Sequence, residues 1–205
     1  PALRGKELLH KRGTVFAKDL DNNIWIGTNE GLYHYSKKDS ITNWDAKFGN
    51  QPSTISDLYI DNDSKSLFVT TVSKGIYRVK NNKIITRISK KEGLNSISCN
   101  AIKKIAPDYY LVGTNNGLNA ILFQNDAFEI KNLNAILGLK NKRINDVEFD
   151  NNTVYLATDE GLLNFNIKNI VPKNNRPKCW IQDLKNGSKT LAHHNQNVIN
   201  YNANN

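Results

Sequence analysis

The chain has 205 residues, 39% hydrophobic and 23% charged, with 28 Lys and Arg against 19 Asp and Glu, for a formal net charge of +9. That is enough apolar chain to bury one or two globular cores, and no run of about 18 apolar residues is present to cross a membrane as a helix. The lysines are scattered (Lys37, Lys38, Lys65, Lys74, Lys90, Lys91, Lys103, Lys104) with no Arg–aromatic cluster, so the charge reads as a solvated surface and no nucleic-acid partner is expected.

From the N-terminus, PALRGKELLHKRG has no apolar stretch of the kind a secretory signal needs. The chain contains no Met, which leads to the expectation of a processed or excised piece whose natural termini lie elsewhere. The first patterned segments follow as TVFAKDL, NIWIGT, GLYHYS and ITNWDA. Each is short and strand-like, and polar turn residues separate them.

The phrase IWIGTNEGLYHY (Ile24–Tyr35) then returns as LFVTTVSKGIYRV (Leu67–Val79), YLVGTNNGLNAI (Tyr110–Ile121) and VYLATDEGLLNF (Val154–Phe165). Its glycines, Gly31, Gly75, Gly117 and Gly161, recur at intervals of 44, 42 and 44 residues. A fixed period near 43 residues with strand-like patterning inside it signals a repeat architecture. The second unit resolves into four strands, Thr54–Asp61, Ser66–Val72, Gly75–Lys80 and Lys83–Ser89. The third reads SCNAIKKIA, YYLVGT, GLNAILF and FEIKNLN, and the fourth RINDVEFD, VYLATD and GLLNFNI before Pro172, without a clear fourth strand. The doubled asparagines (Asn22-Asn23, Asn81-Asn82, Asn115-Asn116, Asn151-Asn152) suit turns, because Asn tolerates left-handed backbone.

Four antiparallel strands per 40–45 residues is the signature of a propeller blade. The predicted fold class is all-β: a partial β-propeller of about four four-stranded blades over residues 1–171 (roughly 13–50, 54–90, 97–134 and 143–170), followed by a truncated β-sandwich segment over 172–205. Gly27 and Gly113 are expected where the second strand packs closely on the next blade, with Thr70 and Ala157 in the matching place.

The segment LDNNIWIGTNEGLYHYS resembles the two-component regulator propeller repeat (Reg_prop), whose lead-in is visible as KKEGLNSISCNAI (Lys90–Ile102) and, degraded, as LGLKNKRINDV. The resemblance covers about Gly13 to Ile170. It is strong in the first copy and weak in the second, where Gly27 is replaced by Thr70 and one residue is added. After Pro172 the chain resembles the opening of a Y_Y_Y domain, with Lys178–Leu184 as a first strand, Lys185-Asn186-Gly187 as a turn, and Ile199, Tyr201 and Ala203 on one face of a second strand.

The resemblance implies the extracytoplasmic sensor of a membrane regulator, periplasmic in location, whose parent continues into a transmembrane helix and a histidine kinase or other output. It implies an oligosaccharide or other small polar ligand and homodimeric signalling. It also implies that four copies are part of a ring, with the absent outer strand of the fourth supplied by the distant N-terminal end of a whole propeller. An arc of blades exposes two apolar faces, so self-association or packing on a neighbour is expected.

In such a propeller one side carries the loops entering the first strands and those between strands two and three. The candidate ligand residues on that side are Asn29, Glu30, Asn95, Asn115, Asn116, Arg143, Asp159 and Glu160; turn chemistry alone also accounts for their Asn and Asp content. Arg143 offers paired donors to a carboxylate or sulfate. Trp25 is expected in the core, standing where other copies have Phe68, Leu111 or Leu156, and Trp44 in the core or an interface of an outer strand. Trp180 is placed at the junction of the two regions, and Tyr33, Tyr35 and Tyr77 over blade faces. Cys99 and Cys179 are expected as two free buried thiols. No cofactor or metal is expected: His193 and His194 are adjacent on a strand and point to opposite faces. Ser-His-Asp, GxGxxG and P-loop spacings are absent, and the carboxylates Glu30, Asp159 and Glu160 recur at a repeat position, so no catalytic residue is assigned.

Overall fold

The computed structural model describes residues 10–36, 40–49, 53–124, 127–170, 184–186 and 189–191. The chain divides into two compact units, Pro1–Val171 and Pro172–Asn205.

The first unit is a partial β-propeller. Blade I holds β1 (Gly13–Lys18), β2 (Ile24–Thr28), β3 (Gly31–Tyr35) and β4 (Ile41–Asn43). Blade II holds β5 (Ile55–Asp61), β6 (Ser66–Thr71), β7 (Gly75–Lys80) and β8 (Lys83–Ile88). Blade III holds β9 (Cys99–Ala106), β10 (Tyr109–Thr114), β11 (Gly117–Gln124) and β12 (Ala127–Asn132). Blade IV holds β13 (Ile144–Asp150), β14 (Thr153–Thr158) and β15 (Gly161–Asn166). Every sheet is an antiparallel meander in sequence order. Among the described residues the fourth has three strands.

The repeated phrase is explained by local hydrogen bonding. The threonine ending each second strand donates to the glycine carbonyl that opens the third: Thr28 to Gly31, Thr71 to Gly75, Thr114 to Gly117 and Thr158 to Gly161, at 2.8–2.9 Å. The same hydroxyls accept from the amides of Glu30, Lys74, Asn116 and Glu160. At Gly31 (φ +140°) and Gly117 (φ +94°) a side chain would collide with Asp45 and Asn134. Those two residues close the end of the outer strand by accepting from the amides of Leu32 and Leu118. Short helical turns begin at both: a 3-10 turn over Asp45–Phe48 and α1 over Asn134–Leu137. The period-two pattern did not reveal these turns.

The core lies between blades. Trp25, Leu32 and Trp44 of blade I pack on Ile55, Leu58, Leu67, Val69, Tyr77 and Val79 of blade II. Phe68, Ile76 and Ile88 of blade II meet Ile102, Tyr110, Val112, Ile121 and Phe123 of blade III. Leu111, Leu118 and Ala120 of blade III meet Ile144, Val147, Val154 and Leu156 of blade IV. Trp25 and Trp44 are thus both buried, edge to face at 4.7 Å. Strand register places Trp25 level with Phe68, Leu111 and Tyr155, each three residues before the threonine of its hairpin. The expected match to Leu156 is one residue off, and a one-residue shift in a strand exchanges the two faces.

Side-chain sizes match across each joint. A Cβ on Gly27 would lie 2.8 Å from Ile55 Cγ2, and one on Gly113 2.7 Å from Ile144 Cγ2. Where Thr70 replaces glycine, the facing position holds the smaller Cys99. Cys99 is buried and its thiol is pushed up to about 12 by desolvation. Cys179, Trp180, His193 and His194 lie outside the described residues.

In the second unit, β16 (Leu184–Asn186) pairs with β17 (Lys189–Leu191), with Asn186 opposite Lys189. Lys185 and Asn186 therefore belong to a strand rather than to the expected turn. The expected strand faces at Ile199, Tyr201 and Ala203 lie outside the described residues.

Gly113→Val should destabilise the chain by about 1–3 kcal/mol through overpacking against Ile144, while Ala157→Val, on an exposed face, should change stability by less than about 0.5 kcal/mol; urea unfolding checks both. Native Cys99 should resist alkylation at pH 8 and react on unfolding, as peptide mapping would show.

Candidate functional site

The eight candidate residues all fall at β2–β3-type hairpins or in loops entering first strands, on one side of the arc. Most of their hydrogen bonds are spent locally. Asn29 Oδ1 accepts from the Arg12 amide at 3.0 Å, and Glu30 pairs with Lys11 at 3.1 Å. Glu160 pairs with Lys142. The Asp159 amide donates to the Arg143 carbonyl at 3.3 Å, and the side chains of Arg143 and Asp159 are exposed.

Three candidates are brought together at the mouth of blade III. Asn95 Oδ1 accepts from Thr114 Oγ1 at 2.8 Å, and the Asn95 amide donates to Asn119 Oδ1 at 3.2 Å. Asn116 Nδ2 donates to the Asn95 carbonyl at 3.4 Å, and the Asn116 carbonyl accepts from Asn134 Nδ2 at 2.9 Å. Asn115 Oδ1 accepts from Asn100 Nδ2 at 2.9 Å. Two buried donors in this network, Asn95 Nδ2 and Asn119 Nδ2, have no hydrogen-bond acceptor. A buried amide without a partner costs about 1–3 kcal/mol, and both nitrogens are closed off from solvent. Asn119 was absent from the sequence-derived set because it sits inside a strand, where the other copies carry Tyr33, Tyr77 and Leu163. That polar exception at an otherwise apolar position is the signal that would have found it.

A second feature lies on the opposite side, between the first hairpins of blades I and II. This open cleft of about 410 Å³ is lined by Asp19, Asp21, Trp25, Asp61, Lys65 and Lys80, among others. Its walls are fixed from behind. Asp19 accepts from the amides of Asp21 and Asn23 and from Trp25 Nε1. His34 lies 3.8 Å from Asp19 and against the Trp25 ring, and desolvation pulls its pKa down. Asp61 accepts from Lys104 at 2.8 Å and from Tyr110 Oη at 2.7 Å. Burial pushes Asp61 up, but the donors from Lys104, Ser64 and Tyr110 outweigh it and hold the carboxyl at about 2.

No family model matches the chain, and no curated protein matches it. Solved structures do. The extracellular domain of BT3049, described as a hybrid two-component system of B. thetaiotaomicron, is 22% identical with a TM-score of 0.65 over 77% of this chain and 22% of that one. The extracellular domain of BT4673 from the same organism, described as a one-component system, is 20% identical with a TM-score of 0.59 over 78% of this chain and 21% of that one. The WD40 domain of Neurospora crassa Pan2 is 13% identical, with a TM-score of 0.50 over 73% of this chain and 44% of that one. At these identities the likeness establishes the propeller fold. The chain spans about a fifth of the length of the two B. thetaiotaomicron structures.

Asp61 ionises below its unfolded-state value, so its contribution is full above about pH 4 and is lost as pH falls through about 2. Urea unfolding should show about 2 kcal/mol of acid-labile stability that Asp61→Asn lacks.

Proposed function

We propose that this chain is part of the extracytoplasmic sensing region of a two-component or one-component regulator, and that its loop side recognises an oligosaccharide or similarly oxygen-rich ligand. The observation that carries the reading is the loop-side asparagine cluster at the mouth of blade III, where Asn95 and Asn116 are half-buried and Asn115 is exposed, a set of amides from which hydrogen bonds to a ligand can be made. Sugar hydroxyls and carboxylates accept such hydrogen bonds without demanding a charged site. The two B. thetaiotaomicron structures support the setting, since both are extracellular domains of described signalling systems. The Reg_prop resemblance, a Y_Y_Y-like segment after residue 171 and a periplasmic location belong to the same proposal. Ligand binding would signal by favouring one arrangement of paired sensors, which requires unequal affinity for the two arrangements.

A second reading has its own observation. The candidate side chains are largely committed to turn geometry, as Asn29, Asn115 and Asn116 show. In that reading the blades are a structural and dimerising module.

Calorimetric titration of the complete ectodomain against an oligosaccharide panel separates the two. Sensing predicts binding that Asn95→Ala weakens by at least about tenfold, a loss of about 1.4 kcal/mol, while Lys65→Ala in the opposite cleft leaves it unchanged. Binding lost with Lys65→Ala alone would move the site to the cleft. No binding across the panel would favour the structural module.

A further inference from the structure

The I–II and II–III joints share one register, yet they differ on the side away from the loops. Trp25, Phe68 and Leu111 stand level in their blades. The Asp19 amide donates to the Asn23 carbonyl, two residues before Trp25, and Asp61 pairs with Ser66, two residues before Phe68, so Asp19 of blade I holds the place of Asp61 in blade II. By the same register, Ile60 and Leu67 of blade II hold the places of Lys104 and Tyr110 in blade III. In the II–III joint the acid is answered by the next blade: Asp61 accepts from Lys104 Nζ at 2.8 Å and from Tyr110 Oη at 2.7 Å. In the I–II joint the facing side chains are aliphatic and donate nothing. The cleft of about 410 Å³ occupies that place, and Asp19, Ile60 and Leu67 all line it.

Asp19 is positioned but not neutralised. Its Oδ1 accepts from the amides of Asp21 at 3.0 Å and Asn23 at 2.8 Å. Its Oδ2 accepts from Asn23 Nδ2 at 3.1 Å and from Trp25 Nε1 at 3.3 Å. All four donors are uncharged. Among the described residues its one ion-pair partner is His34, 3.8 Å away. Desolvation lowers the His34 pKa, which leaves that ring neutral at neutral pH. The Asp19 side chain is 21% exposed, against 3% for Asp61. A partly buried carboxylate without a counter-ion favours an incoming cation. Around it the walls are apolar, from Leu20, Trp25, Ile60, Leu67 and Val79, while Lys65 and Lys80 line the blade II side. A cleft of this size, apolar with one convergent charge, suits a small molecule.

We propose that this cleft binds a small primary amine with an apolar body, its ammonium group on Asp19 and its body over Trp25, Ile60 and Leu67, in the place that Lys104 and Tyr110 fill one joint later. The site lies between two blades of the chain, on the side opposite the asparagine cluster, and it does not rest on the oligosaccharide reading.

The test is calorimetric titration of the chain with phenethylamine, beside phenethyl alcohol and hydrocinnamate, which keep the apolar body and change the head group. The amine should bind at millimolar concentration and shift the Trp25 indole N–H resonance. The alcohol and the acid should each bind at least about tenfold more weakly. Ile60→Lys supplies to Asp19 the cation that Lys104 supplies to Asp61. It should weaken amine binding at least about tenfold, with the urea midpoint held or raised, while the volume-conserving Ile60→Met keeps the binding. Lys65→Ala should tighten amine binding, because it removes a like charge from the cleft. Equal binding of the three head groups would mark a merely apolar cleft and overturn the proposal. So would no amine binding at millimolar concentration, amine binding that a folded Ile60→Lys chain retains, or a loss of affinity in Lys65→Ala.

Discussion

A four-stranded antiparallel sheet with apolar residues on both faces has no stable existence alone in water, and this chain depends on covering those faces with further sheets. Each of its clusters draws from two consecutive blades: Trp25 with Ile55 and Val69, Phe68 with Tyr110 and Val112, Leu111 with Val154 and Leu156. Burial of apolar surface, at roughly 25 cal/mol per Å², therefore accrues per joint rather than per blade. Close approach at the joints demands small residues on one side, which is why Gly27 and Gly113 face Ile55 and Ile144. Where the first side grows to Thr70, the second shrinks to Cys99.

Polar chemistry sets the order in which blades meet. Size matching fixes which apolar residues can face one another, and Asp57 on the Ile102 amide and Ser56 on the Cys99 carbonyl are satisfied at the same single alignment. The buried Asp61–Lys104–Tyr110 group adds a second lock at the same joint. Asp57 is itself raised by desolvation, against the amides of Ile102 and Leu58 that favour its charged form. These contacts give each joint a direction.

The repeat was legible because its cause is local. Thr28 and Gly31, or Thr114 and Gly117, meet within one hairpin, so their spacing is visible in the chain. The strands and the buried state of Trp25 and Cys99 followed from the same pattern. The inter-blade bonds described above were not legible, because they link residues 41 to 49 apart through a register that no hairpin displays. The Trp25 alignment shows how narrow the margin is: Leu156 and Tyr155 are neighbours, yet one is buried and the other faces outward. The asparagine network was half visible. Asn95, Asn115 and Asn116 stand in loops, while Asn119 and Asn134 acquire meaning when β11 and α1 bring them alongside. The strand after residue 184 was displaced by a few residues, since alternation alone fixes a face better than an end.

The central claim is that consecutive sheets are stacked with Gly27 on Ile55 and Gly113 on Ile144. Nuclear Overhauser contacts between the glycine α protons and the isoleucine methyls report this directly. The account predicts strong cross-peaks at both joints in the folded chain. Absence of both, in a chain whose hairpin contacts from Thr28 to Gly31 and Thr114 to Gly117 are intact, would show sheets that form without stacking and would contradict it.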